Sequence, residues 1–154
     1  MVLQQQYELV KASRQILLNY CRNISSENFL KENSAFGRGS IRNLLVHIGN
    51  IYELWIAKNA LKEEASFTSF DEIKDLSECF TFFNNVDQIM ERFFKLYSDN
   101  NFEELEVENS TGKKIVTVNK LFLHVITHEF HHKGQILSLS RHLGYTPVDT
   151  DVIR

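Results

Sequence analysis

One proline, six glycines and two cysteines are all that this 154-residue sequence holds of the residues that break or staple a chain. With so few breakers, long helices have little to interrupt them. Cys21 and Cys79 lie far apart, form no Cys-x-x-Cys pair, and read as two buried, reduced thiols acting as small hydrophobes. A dense basic block is also missing. The nearest thing is Lys113-Lys114, and the formal net charge is −3. Nucleic-acid binding normally rests on a concentrated basic face, so DNA and RNA are excluded as first readings. No run approaches the roughly 20 apolar residues needed to cross a bilayer, so no membrane partner is expected. The segment Met1-Val2-Leu3-Gln4-Gln5-Gln6 puts no positive charge before an apolar stretch. No signal peptide is expected, and the cytoplasm is the expected location.

What is present is ordinary globular material, with 43% hydrophobic and 24% charged residues. Twelve phenylalanines each need a partner surface. The length suits one domain over residues 1–154, and the class is all-α. Leu3, Tyr7, Val10, Leu17, Leu18 and Cys21 recur at helical spacing and predict a first helix to about residue 22. A polar connection follows to Gly39, with room for one short helical turn. Ser40 offers an N-cap to a second helix over about 41–63, with Leu44, Ile48, Ile51, Leu54 and Trp55 on its apolar stripe. Ser69-Phe70-Asp71-Glu72 fits a capping box opening a third helix to about residue 98, with Asn84-Asn85 a candidate kink. Residues 104–108 and 114–118 alternate around Asn109-Ser110-Thr111-Gly112, the pattern of a β-hairpin. Asn119 is placed to cap a fourth helix over about 120–143, and Gly144 to end it. Four long amphipathic helices pack most simply as a bundle.

The chemistry concentrates in the last helix. His124, His128 and His132 recur every fourth residue and form one stripe, with His131 on its flank. Imidazoles at i and i+4 start about 5–6 Å apart at Cβ, close enough to converge on one ion. His124 and His132 start about 12 Å apart along the axis, so one ion takes one pair. The pair is His124/His128 or His128/His132, and periodicity does not choose between them. His128-Glu129-Phe130-His131-His132 also matches His-Glu-x-x-His, in which two histidines bind zinc and the glutamate activates water. The peptidase reading of that motif is disfavoured. His142 would have to serve as third ligand from about 15 Å along the same helix. His47, on the apolar stripe of the second helix, is the better third ligand. His142 itself reads as a charge at the helix C-terminus or a surface residue. Gly49 and Gly134 each stand two residues beyond a candidate ligand. We expect Gly134 to ease helix packing and Gly49 to leave room for a ligand.

These motifs resemble the DinB-like (DNA-damage-inducible) family, related to the bacillithiol S-transferases and the thiol-dependent maleylpyruvate isomerases. The resemblance rests on Leu44-Leu45-Val46-His47-Ile48 and on His124-x-x-x-His128-x-x-His131-His132-Lys133-Gly134-Gln135-Ile136. Asn119-Lys120-Leu121-Phe122 and Leu143-Gly144-Tyr145 add to it, and it spans essentially the whole chain. It implies a four-helix bundle connected up-down-down-up, a small hairpin before the last helix, and commonly a homodimer. It also implies one divalent transition metal held by His47, His128 and His132, with His124 and His131 packing beside them. The metal expected is zinc or nickel first, with iron and manganese also accepting imidazole.

The expected function is a metal-dependent transferase that activates a small-molecule thiol for attack on an electrophilic substrate. Trp55 and Tyr52, close to His47, are candidate walls of its pocket. Metal-assisted hydrolysis is the alternative, with Glu129 as candidate general base. A non-catalytic metal-binding protein is the third reading.

Overall fold

The computed structural model describes residues 2–97 and 101–154. Helix α1 (Val2–Cys21) buries the expected stripe of Leu3, Tyr7, Val10, Leu17, Leu18 and Cys21, and buries Arg14 among them. The connection holds a five-residue helix, α2 (Ser26–Leu30), capped by the Ser25 side chain. It then turns through Arg38 and Gly39, both at positive φ, 72° and 85°. Ser40 caps α3 (Ile41–Tyr52) by accepting from the Asn43 amide, as expected.

Beyond Tyr52 the expected α-helix to residue 63 gives way to a π-helix, Glu53–Ala60. Asn59 supplies a physical reason. Its amide donates to the Leu54 carbonyl at 2.8 Å and to the Glu108 carbonyl at 3.0 Å, tying the widened turn to the hairpin. Because each π turn holds more residues than an α turn, the 3.6-residue stripe goes out of register here. Ile56, Ala57 and Ala60 face the core, while Trp55 is only partly buried against it.

The third long helix, α4 (Leu76–Leu96), begins later than expected. The Ser69 amide does donate to Glu72 Oε1 at 2.7 Å, but the box closes only one 3₁₀ turn, Phe70–Glu72. Ile73 then runs extended and buried, and Asp75 caps α4 by accepting from the Glu78 amide. A second cap six residues past the first decides the start. Asn84-Asn85 introduces no break, and the expected end at residue 98 lies outside the described residues.

Strands β1 (Glu104–Asn109) and β2 (Gly112–Thr117) pair antiparallel, with Leu105 opposite Val116 and Asn109 opposite Gly112. Leu105 and Val107 turn inward. Helix α5 (Val118–His142) follows β2 directly, so Thr117 and not Asn119 is its cap, accepting from the Lys120 amide at 3.2 Å. Gly144 at φ 94° ends α5, with the Tyr145 amide reaching back to the Ser140 carbonyl. The chain is thus mostly helical, with one small hairpin before its last helix. Helix α3 packs against α4 and α5, and α1 packs against the same two, with the core between them. Among the described residues no helix is long and apolar enough to cross a membrane.

Candidate metal centre

Residue His47 comes from α3, and His128 and His132 from α5, where a separation of four residues stacks them. The three offer ring nitrogens that all lie within 4.8 Å of one another. His47 Nε2 is 3.1 Å from His128 Nε2, which is 2.9 Å from His132 Nε2. Two nitrogens held about 2.0–2.1 Å from one ion sit about 2.9–3.4 Å apart across octahedral to tetrahedral angles. The donor set fits a divalent transition metal in kind and in spacing.

Histidine 132 also shows how its tautomer is set. Its Nδ1 lies 2.7 Å from Gln135 Oε1, a carbonyl oxygen that accepts only, so the Nδ1 proton is held there. The lone pair is left on Nε2, the atom that faces the other two rings. Gln135 in turn contacts His131 at 3.3 Å, which places His131 beside the cluster and outside it. His124 packs edge-on against Trp55, with ring centroids 5.0 Å apart, and is likewise not among the three. His142 is exposed in the last turn of α5.

Burial lowers the basicity of all three rings. Desolvation, helped by Arg38 and the neighbouring histidines, pushes His47 down to about 3. Desolvation and the flanking histidines push His128 down to about 4, and burial also lowers His132. At neutral pH the three are uncharged, the form that donates to a metal.

Glutamate 129 is not brought to these nitrogens. Its side chain is fully buried, and its two oxygens take two bonds from Arg14 and one from the Tyr52 hydroxyl, the last at 2.6 Å. The Lys133 ammonium lies 3.8 Å away. Burial alone would raise the Glu129 carboxyl; Arg14 and its other donors override that and hold it below the ordinary range. Arg14 continues to Asp87 at 2.8 Å, and Asp87 accepts from the Tyr7 hydroxyl at 2.7 Å. Tyr52 is therefore a core residue of this network, not a pocket wall.

A cavity of about 560 Å³ opens beside His47 and His128. Ile51, Leu54, Trp55 and Phe67 form its apolar wall, and Arg38 and Lys58 bring charge to it. The two cysteines are buried and free, and desolvation pushes each thiol up to about 12, so neither is a nucleophile.

Neither glycine has the role expected of it. A β-carbon at Gly49 would fall on the Phe82 ring of α4, so Gly49 lets two helices close. One at Gly134 would meet nothing within 4 Å. Sequence reading also passed over Arg14, Arg38 and Gln135. Arg14 was the legible one. It falls between Val10 and Leu17 on an otherwise apolar stripe, where an arginine needs a buried carboxylate.

The model of the DinB family matches residues 1–154. The chain is also similar to the uncharacterized protein YizA of Bacillus subtilis (strain 168), at 29% identity over 140 residues. That match covers 87% of this chain and 83% of YizA.

Proposed function

The chain belongs to the DinB family, and on that premise we propose a metal-dependent transferase that uses a low-molecular-weight thiol against an electrophilic small molecule. The observation that carries the proposal is the convergence of His47, His128 and His132 at the edge of a cavity large enough for such a substrate. A divalent ion held by three neutral imidazoles keeps its full charge and open positions, and so favours the thiolate form of a thiol beside it. His47, His128 and His132 hold that ion in the proposal, and Gln135 orients His132. Ile51, Leu54 and Trp55 exclude water from one side of the substrate. The thiol gives its proton to solvent, its sulfur bonds to the electrophilic carbon, and the bond from that carbon to its leaving group breaks, the electron pair departing with that group.

Zinc or nickel is the proposed metal, with iron or manganese next. Transfer is favoured over hydrolysis by Glu129, whose oxygens are already engaged by Arg14 and Tyr52. We further propose residues 1–154 as a single up-down-down-up four-helix bundle working as a cytoplasmic homodimer. The pairing of α1 and of α3 with both α4 and α5 supports the bundle. The test is elemental analysis of purified protein, then a screen of thiols against electrophiles with each metal restored. One metal per chain and turnover that needs both thiol and metal are expected. Turnover without a thiol would replace transfer by hydrolysis, and loading without any turnover would leave a binding protein.

A further inference from the structure

The metal cavity carries charge that the three histidines do not explain. Arg38 and Lys58 line it, and Glu108 is the one carboxylate among its lining residues. Among the described residues no carboxylate lies within ion-pair distance of either cation. An arginine without a partner at the mouth of an apolar cavity is a ready site for an anion. Its planar fork matches a carboxylate with two parallel hydrogen bonds.

The backbone singles out Arg38 from Lys58. Arg38 sits between Gly37 and Gly39 with φ at 72°, a conformation that costs energy for any residue with a β-carbon. Position 38 would suit glycine better on backbone grounds alone, yet it carries the arginine that lines the cavity. The loop is also pinned. The buried Asn43 amide donates to the Arg38 carbonyl at 2.8 Å, and the Asn33 amide donates to the Gly39 carbonyl at 2.6 Å. Lys58 is exposed, as Arg38 is, but it sits in the regular π-helix and carries no such backbone cost. Opposite these charges stands the apolar wall of Ile51, Leu54, Trp55 and Phe67, with Phe67 half exposed at 52%.

We propose that Arg38 anchors an acid group on the ligand of this cavity, so that the site takes a small carboxylate with an apolar body. The carboxylate pairs with the Arg38 guanidinium, the body lies against Trp55 and Phe67, and the rest reaches His47 and His128. Lys58 adds long-range attraction, partly offset by Glu108. The proposal rests on the reading of this cavity as the substrate site.

Two probes of one shape test it: phenylacetate, and uncharged phenylacetamide. Each is titrated by calorimetry into the metal-loaded wild type, Arg38→Asn, Arg38→Lys and Lys58→Gln proteins, with metal content measured on every sample. Asparagine tolerates positive φ, so Arg38→Asn keeps the loop while removing the charge. The expected result is a preference for phenylacetate of about tenfold or more in the wild type. Arg38→Asn should abolish it without changing phenylacetamide binding, Arg38→Lys should keep part of it, and Lys58→Gln should keep most. Equal binding of both probes, binding of neither, or a preference intact in Arg38→Asn would overturn the anchor while a fully loaded metal left the proposed function standing. A protein that takes up no metal would overturn both.

Discussion

Arg14 of α1 grips Glu129 of α5 through two guanidinium nitrogens, each 2.9 Å from a different carboxylate oxygen. Glu129 is the neighbour of His128 in sequence, so the ion pair fixes the rotation of α5 that turns His128 and His132 toward α3. The pair is fully out of water, and removing one partner of such a pair strands the other. Arg14→Met should therefore lower stability by about 3–5 kcal/mol, read from urea unfolding. A variant within 1 kcal/mol of wild type by the same measure would show the pair to be dispensable.

Glu129→Gln separates anchoring from base catalysis. Glutamine keeps the shape and can still accept from Tyr52, but loses the charge that faces Arg14. On the transferase reading the variant melts earlier and retains its metal, and turnover per folded molecule falls by less than about tenfold. A loss beyond about 10²-fold at unchanged metal content and melting would instead mark Glu129 as a general base.

Metal content should depend on residues far apart in sequence. His47→Ala should lose most of the metal, although it stands 81 positions from His128. Gln135→Leu should weaken metal affinity by about 10–100-fold while leaving all three proposed ligands in place, because His132 loses the acceptor that holds its Nδ1 proton. Competition with a chromogenic chelator measures both. Undiminished loading in His47→Ala would return the choice of ligands to His124.

The two glycines should respond with opposite signs. Alanine at Gly49 collides with the Phe82 ring and should cost about 1–3 kcal/mol of stability. Alanine at Gly134 meets open space and, as the better helix former, should stabilise by up to about 1 kcal/mol. Thermal melting of the two single variants decides it, and equal shifts in one direction would contradict the packing.

Acid should weaken the metal-free protein earlier than its carboxylates alone would. Burial and neighbouring charge hold His47 at about 3 and His128 at about 4, against an ordinary histidine value near 6.5. Between those values the unfolded chain takes up protons that the folded chain refuses. The stability is complete above about pH 6.5 and drains as pH falls toward about 3. Urea midpoints of chelator-treated protein across that window measure the slope, and His47→Gln should flatten it. A slope that His47→Gln leaves unchanged would place the acid sensitivity elsewhere.

Much of this protein is local and therefore legible in its sequence. The stripe of α1, the Ser40 cap, the hairpin around Asn109 and the glycine stop at Gly144 all depend on neighbours a few residues away. The stacking of His128 on His132 is local too, since the helix repeat alone puts them on one face. Tertiary structure decided what needed a distant partner. Asn59 reached Glu108 and was bonded into a π-helix that periodicity could not foresee. Asp75 displaced Ser69 as the start of α4 because Ile73 had a buried place to go. Gly49 exchanged a pocket for the Phe82 ring of another helix. Glu129 looked like half of a zinc motif until Arg14 and Tyr52 arrived from α1 and α3 to occupy it. A side chain's chemistry is written in the chain, but what it is free to do depends on which partners the packing has already given it.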